Sequence, residues 1–183
     1  MMKKTGIIVA IMILFQHMHA QDVFMTRHGQ VSFFGKTPME NIDATNNEVS
    51  SALNMQTGEI GFAILIKSFH FERALMEEHF NENYMESDNI PKASFKGKIN
   101  NIVAVAVSKD GSYAVIADGD LTIHGVTKKI NLPGTIVVKD GQLQLTAKFT
   151  VAPKDYNIKI PALVADKIAE SMGVSVDCRY GKK

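Results

Sequence analysis

Three histidines, His70, His79 and His124, are the side chains that a metal site would draw on. Zinc and similar ions accept imidazole nitrogen alongside carboxylate oxygen, and His79 directly follows Glu77 and Glu78. The spacing contains no His-Glu-x-x-His pair and no paired Cys/His set, and His124 alternates outward from Leu121 and Ile123. That favours histidines on a helix surface or held by hydrogen bonds, and no metal. Acid–base chemistry needs two positioned carboxylates. Glu72, Glu77, Glu78, Glu82, Glu86 and Asp88 supply candidates, but their helical positions mostly face water, which reads as a solvated face. Cys178, the only cysteine, alternates with Val174 and Val176 and reads as a small buried hydrophobe rather than a nucleophile. No Gly-x-Ser-x-Gly, P-loop or dinucleotide-type glycine pattern occurs. The expectation is a non-enzyme without cofactor.

The apolar residues form the larger set. Phe62, Ile64, Ile66, Phe69, Phe71, Leu75, Phe80, Tyr84, Phe95, Ile99, Leu121, Ile123, Leu145 and Phe149 fall on periodic positions of strands or of one helix. From pattern alone they make an ordinary barrel core more readily than a ligand lining, because most eight-stranded interiors are filled by side chains.

The elements that must position them follow from the same periodicity. Leu75, His79 and Asn83 recur every four residues, as do Met76, Phe80 and Tyr84, placing two adjoining rows on one side of a short helix. Pro91 stops it, and a strand resumes at Ser94. A helix bearing these aromatic residues between two strands is expected to lie across the open end of a barrel and plug it. Ile60, Phe62, Ile64 and Ile66 alternate with mostly small or charged residues, the mark of a strand with one buried face. Residues 143–151 give the clearest amphipathic strand. Asn46-Asn47, Lys109-Asp110-Gly111, Ala117-Asp118-Gly119, Pro133-Gly134 and Lys139-Asp140-Gly141 are read as turns, the glycines supplying positive φ. Small inward positions at Gly97, Gly125 and Ala147 leave room for a cavity. A second helix is expected over Ala162–Ser171, opened by Pro161 and ended by Gly173. About eight evenly spaced strands with one or two short helices capping or flanking them predict a mainly β protein, a single antiparallel barrel.

The chain has 183 residues, enough for one domain with a real core. Its start reads as a secretory leader: Lys3 and Lys4, then an apolar run from Gly6 to Phe15, then small Ala20 before the cut. This places the protein in the periplasm or outside the cell, as residues 21–183, with no membrane span left. Removing Lys3 and Lys4 from the 20 basic residues leaves 18 against 19 acidic ones, a formal charge of −1. No basic cluster marks a nucleic-acid partner.

Two segments carry a resemblance to a known family. Residues 78–99, EHFNENYMESDNIPKASFKGKI, and residues 117–133, ADGDLTIHGVTKKINLP, resemble the two hallmark segments of the YceI-like family of bacterial polyisoprenoid- and lipid-binding proteins. In the first hallmark many members show Arg-Asp-x-His-Leu, and here Met76-Glu77-Glu78-His79-Phe80 stands in its place, without the arginine. The resemblance implies a lipocalin-like barrel whose lumen holds a long isoprenoid or other amphiphilic lipid. It also shifts the fourteen apolar residues above from core towards ligand lining, with Phe80 and Tyr84 of the helix against the ligand. The expected function is that of an exported carrier of a polyisoprenoid, a quinone-like isoprenoid or another lipid, and a homodimer is compatible with it. Two alternatives stand beside it: a structural or interaction protein with a solid barrel, and a lipid-modifying enzyme using His79 with Glu77 or Glu78.

Overall fold

A computed structural model of the protein describes residues 23–182. The leader, its cut after Ala20 and the domain start at residue 21 lie outside them. The strands are β1 (Val23–Lys36), β2 (Asn41–Asn54), β3 (Glu59–Leu65), β4 (His70–Phe71), β5 (Lys92–Ile99), β6 (Gly111–Ile123), β7 (Val126–Lys139), β8 (Gln142–Val151) and β9 (Met172–Lys182). They pair in the order β1-β9-β8-β7-β6-β5-β3-β2, and a β1–β2 ladder closes the ring. Every pairing is antiparallel, so the fold is a closed eight-stranded barrel with β4 as an extra strand on β2.

One end of the barrel is solid. Phe24, Leu53, Ile136, Val138, Leu143 and Cys178 are fully buried there, with Ile102 and Val105 of the β5–β6 connection packed against them. Ser51 also lies there: its hydroxyl donates to the Gly61 carbonyl (2.9 Å) and so accepts from the Tyr180 hydroxyl (2.8 Å). Gly29 is required on β1 because a Cβ would meet Cys178 Sγ at 2.4 Å.

Several expected turns are strand interior instead. Asn46-Asn47 lies within β2, where the register slips between Gly29↔Val49 and Val31↔Asn46. The slip matches a 3-10 turn at Ile66–Ser68 that interrupts the chain between β3 and β4. Asn46 bridges that break: its Nδ2 donates to the Leu65 carbonyl and its Oδ1 accepts from the Glu48 amide, both at 2.8 Å. Its side chain is wholly buried. Asn46→Ala is expected to destabilise the fold by about 1–3 kcal/mol, since it removes a buried side chain and both of its hydrogen bonds. Urea denaturation checks this, and an unchanged midpoint would contradict it.

Gly119 and Pro133-Gly134 also run through strands, and the β6–β7 turn falls at His124-Gly125, both with positive φ. Gly119 faces Gly97 across the β5–β6 ladder. It is glycine for closeness rather than for a turn, because a Cβ there would sit 2.6 Å from the Phe95 ring. Pro133 is tolerated because the β7–β8 ladder covers only Gly134–Lys139. The first half of β7 and the far end of β8, from Lys148 to Val151, form a seam where the wall is not joined by main-chain bonds. Gly125, expected to point inward, is exposed at its turn.

One helix forms rather than two. α1 (Ala74–His79) continues as a π-type turn through Phe80–Tyr84. Residues 162–167 adopt a 3-10 turn instead of the expected helix, and Ile168 is already extended. In this stretch only Val164, Lys167 and Ile168 border the interior, so packing offers little to offset helix nucleation. Leu163 remains 94% exposed.

Candidate functional site

Above the solid end the barrel is hollow. A cavity of about 550 Å³ occupies that half, walled almost entirely by aliphatic and aromatic side chains. Its origin is visible on the inward faces of three adjacent strands, where Ala117 on β6, Gly134 on β7 and Ala147 on β8 supply little volume. Phe95 widens the space further by laying its ring over Gly97 and Gly119.

The helix forms one side of this space. Met76, Phe80 and Tyr84 turn towards it, and the π-type turn brings Met85 onto the same face through the Met85 amide donating to Phe80 O (2.9 Å). Phe80 sits among three rings, with centroids 5.0 Å from Phe71, 5.5 Å from Phe33 and 5.8 Å from Phe69. These tilted and edge-on contacts anchor a helix too short to be stable alone. The second expected row behaves differently. Leu75 and His79 reach only the rim, and Leu75 is 61% exposed.

All fourteen apolar residues singled out from the sequence border the cavity. Sequence reasoning missed Phe33, whose alternation with Val31 was available on β1, and Tyr156, Ile158 and Ile160. Tyr156 closes a 3-10 turn at Pro153–Tyr156, and Ile158 and Ile160, in the irregular stretch that follows, carried only a two-residue period as a signal.

Charged groups stay at the mouth. Arg73 pairs with Glu40 at 2.5 Å, and Lys167 and His79 also border the opening. His79 is exposed. Glu77 accepts from the Phe71 amide (3.1 Å) and lies 3.6 Å from His70 Nδ1, so its partners are on β4 rather than at His79. His124 does not point outward: its side chain is 11% exposed, with Nε2 3.0 Å from Glu86 Oε2 and Nδ1 3.3 Å from the Tyr156 carbonyl. It thereby ties the β6–β7 turn to the residues after the helix and to the seam. Burial raises the Tyr156 hydroxyl above its ordinary value, with the Asp155 charge adding to the effect. Among the described residues no group of three His, Cys, Asp or Glu side chains could hold a metal ion. None of their helices is long and apolar enough to cross a membrane.

A closed antiparallel barrel, sealed at one end and hollow at the other beneath a short helix, defines a lipocalin-like barrel. A sequence model of the YceI-like domain matches residues 22–180. The chain belongs to the YceI-like family. Among solved structures it is similar to a polyisoprenoid binding domain from Saccharophagus degradans implicated in plant cell wall breakdown. That match has a TM-score of 0.78 at 13% identity and covers 89% of this chain and 99% of that one. BcnA of Burkholderia cenocepacia matches with a TM-score of 0.69 at 14% identity, over 84% of this chain and 96% of its own. A YCEI protein of Campylobacter jejuni gives 0.60 at 16%, over 81% and 90%. At these identities the likeness speaks for the fold. A search of curated proteins found no match to this chain.

Proposed function

We propose that the protein binds and carries a long apolar molecule, a polyisoprenoid, a quinone-like isoprenoid or another amphiphilic lipid, in the barrel cavity. The observation that carries this reading is the cavity of about 550 Å³, whose charged neighbours are confined to its mouth. Burying a hydrocarbon chain gains about 0.8 kcal/mol per CH₂, so such a site needs no charged contact to bind well. Family membership supports the same class of ligand, and the Saccharophagus degradans domain of similar fold is described as polyisoprenoid-binding. A catalytic role for His79 is the weaker reading, because the ring is exposed at the rim and Glu77 is engaged elsewhere. A barrel filled throughout does not fit a hollow half. The leader in the sequence supports export, with the carrier working in the periplasm or outside the cell.

Mass spectrometry of organic extracts from the purified protein is expected to find an apolar compound in stoichiometric amount. Adding that compound back to stripped protein should raise its melting temperature. Extracts without any such compound, together with a melt indifferent to added lipid, would remove the basis for a carrier.

A further inference from the structure

We propose that Tyr156 is a polar recognition point in the cavity wall, its hydroxyl donating a hydrogen bond to a carbonyl-type oxygen of the occupant. The inference rests on the reading that the cavity holds an apolar molecule. It narrows that molecule to one bearing such an oxygen, as a prenylated quinone or an acyl derivative does and a bare isoprene run does not.

The starting point is an unpartnered hydroxyl. Tyr156 borders the cavity and is only 4% exposed. Its hydroxyl bonds to none of the described residues. Nor is it sealed in: among the described residues the side-chain atom both sealed and unpartnered is Asn81 Oδ1. Buried tyrosine hydroxyls usually find a partner. Other tyrosines of this chain follow that rule. Tyr180 bonds with Ser51 (2.8 Å), and Tyr113 donates to the Lys109 carbonyl (2.9 Å).

The rest of Tyr156 is firmly held. It ends the turn Pro153–Tyr156, and Asn157 reverses the chain with a φ of 56°. The Ile158 amide then donates back to the Pro153 carbonyl (3.1 Å). His124 Nδ1 lies 3.3 Å from the Tyr156 carbonyl, and Lys128 Nζ stands 5.8 Å over the ring. Main chain and ring are thus engaged, and the hydroxyl is left over. Burial keeps that hydroxyl protonated, so it is a donor. A water molecule in an apolar cavity needs several polar partners, and Tyr156 offers one. An oxygen carried in on an apolar molecule needs no other.

The test uses stripped protein and displacement of N-phenyl-1-naphthylamine, an apolar fluorophore without oxygen. The competitors are tetradecane and tetradecanones with the carbonyl at the second, fourth or seventh carbon. Tyr156→Phe is expected to weaken the best-placed ketone by roughly fivefold to tenfold, leaving tetradecane within about twofold. The empty variant should melt at or above the temperature of the unaltered protein, since the lost hydroxyl had no partner there. A prenylated benzoquinone and a fatty acid methyl ester of similar length then separate the two sources. Whichever loses more on the substitution identifies the oxygen as ring or acyl in type.

If no ketone loses more than tetradecane, the recognition point is overturned while the carrier reading stands. A variant that melts several degrees lower, or fails to fold, overturns it too, because the hydroxyl would then serve the fold. If neither the fluorophore nor any competitor binds the unaltered protein, the carrier reading itself falls.

Discussion

Above pH 9 the protein is expected to lose stability with each further unit of pH, through the solid end of the barrel. Burial pushes the Cys178 thiol from 9.0 up to about 12, with the Asp177 charge adding to the shift and a backbone hydrogen bond from Gln30 opposing it. Burial likewise raises the Tyr180 hydroxyl above its ordinary value of 10.0, next helped by Cys178 and opposed by the hydrogen bond with Ser51. Below pH 9 both folded and unfolded chains keep these protons, so stability is fully present. Between pH 9 and 12 the unfolded chain releases the thiol proton and the folded chain retains it. Each unit then removes about 1.4 kcal/mol. Tyr180 joins above pH 10 and steepens the loss. Even one such unit is a sizeable share of an ordinary domain's stability. Urea melts across this range measure it directly, and Cys178→Ala should flatten the portion between pH 9 and 10. A midpoint that ignores pH up to 11 would show that these groups are not held protonated. Thiol reagents should also leave the folded protein unmodified at neutral pH, because the thiol is both buried and protonated.

Gly119→Val is expected to destabilise the hollow half strongly. The first added atom would lie 2.5 Å from the Lys96 carbonyl oxygen, 2.6 Å from Gly97 Cα and 2.6 Å from the Phe95 ring. Two of those three neighbours are main chain of β5, so the strand must shift rather than a side chain turn away. A loss of about 3 kcal/mol follows for overpacking of this kind. For a chain of this length that lowers the melting temperature by about 6–12 °C. Gly181→Ala is the matched control. Nothing lies within 4 Å of its new methyl group, and the change should stay within about 0.5 kcal/mol. Equal effects from the two substitutions would mean that close approach is not why position 119 is glycine.

The barrel was legible because alternation on 143–151 and at Ile60, Phe62, Ile64 and Ile66 survives in the structure as inward and outward faces. The cavity wall was legible for the same reason. What misled was punctuation. Asp118-Gly119 and Pro133-Gly134 carry the composition of turns, yet one glycine answers to an aromatic ring on the next strand and the proline to a ladder that ends beside it. Both causes are contacts between residues far apart in sequence, which local pattern does not contain. Asn46 is similar: its partner Leu65 lies 19 positions away. The helix was found by its period, but period does not say which row faces in, and the π-type turn moved Met85 inward while Leu75 stayed at the rim. Over 162–171 helical spacing was present, but the chain had to reach Met172 extended to enter β9.

The partly unjoined wall between β7 and β8 makes the molecule a split tube rather than a hoop. A hoop resists opening equally around its circumference, whereas a split tube is stiff at its base and compliant at its lips. Here the base is the ladder from Gly134 to Lys139, and the lips are spanned by side chains of the Tyr156–Ile160 stretch. Spreading the lips breaks no main-chain hydrogen bond between the two strands. That side of the hollow half is therefore held by side-chain packing, while the base is held by main-chain bonds as well.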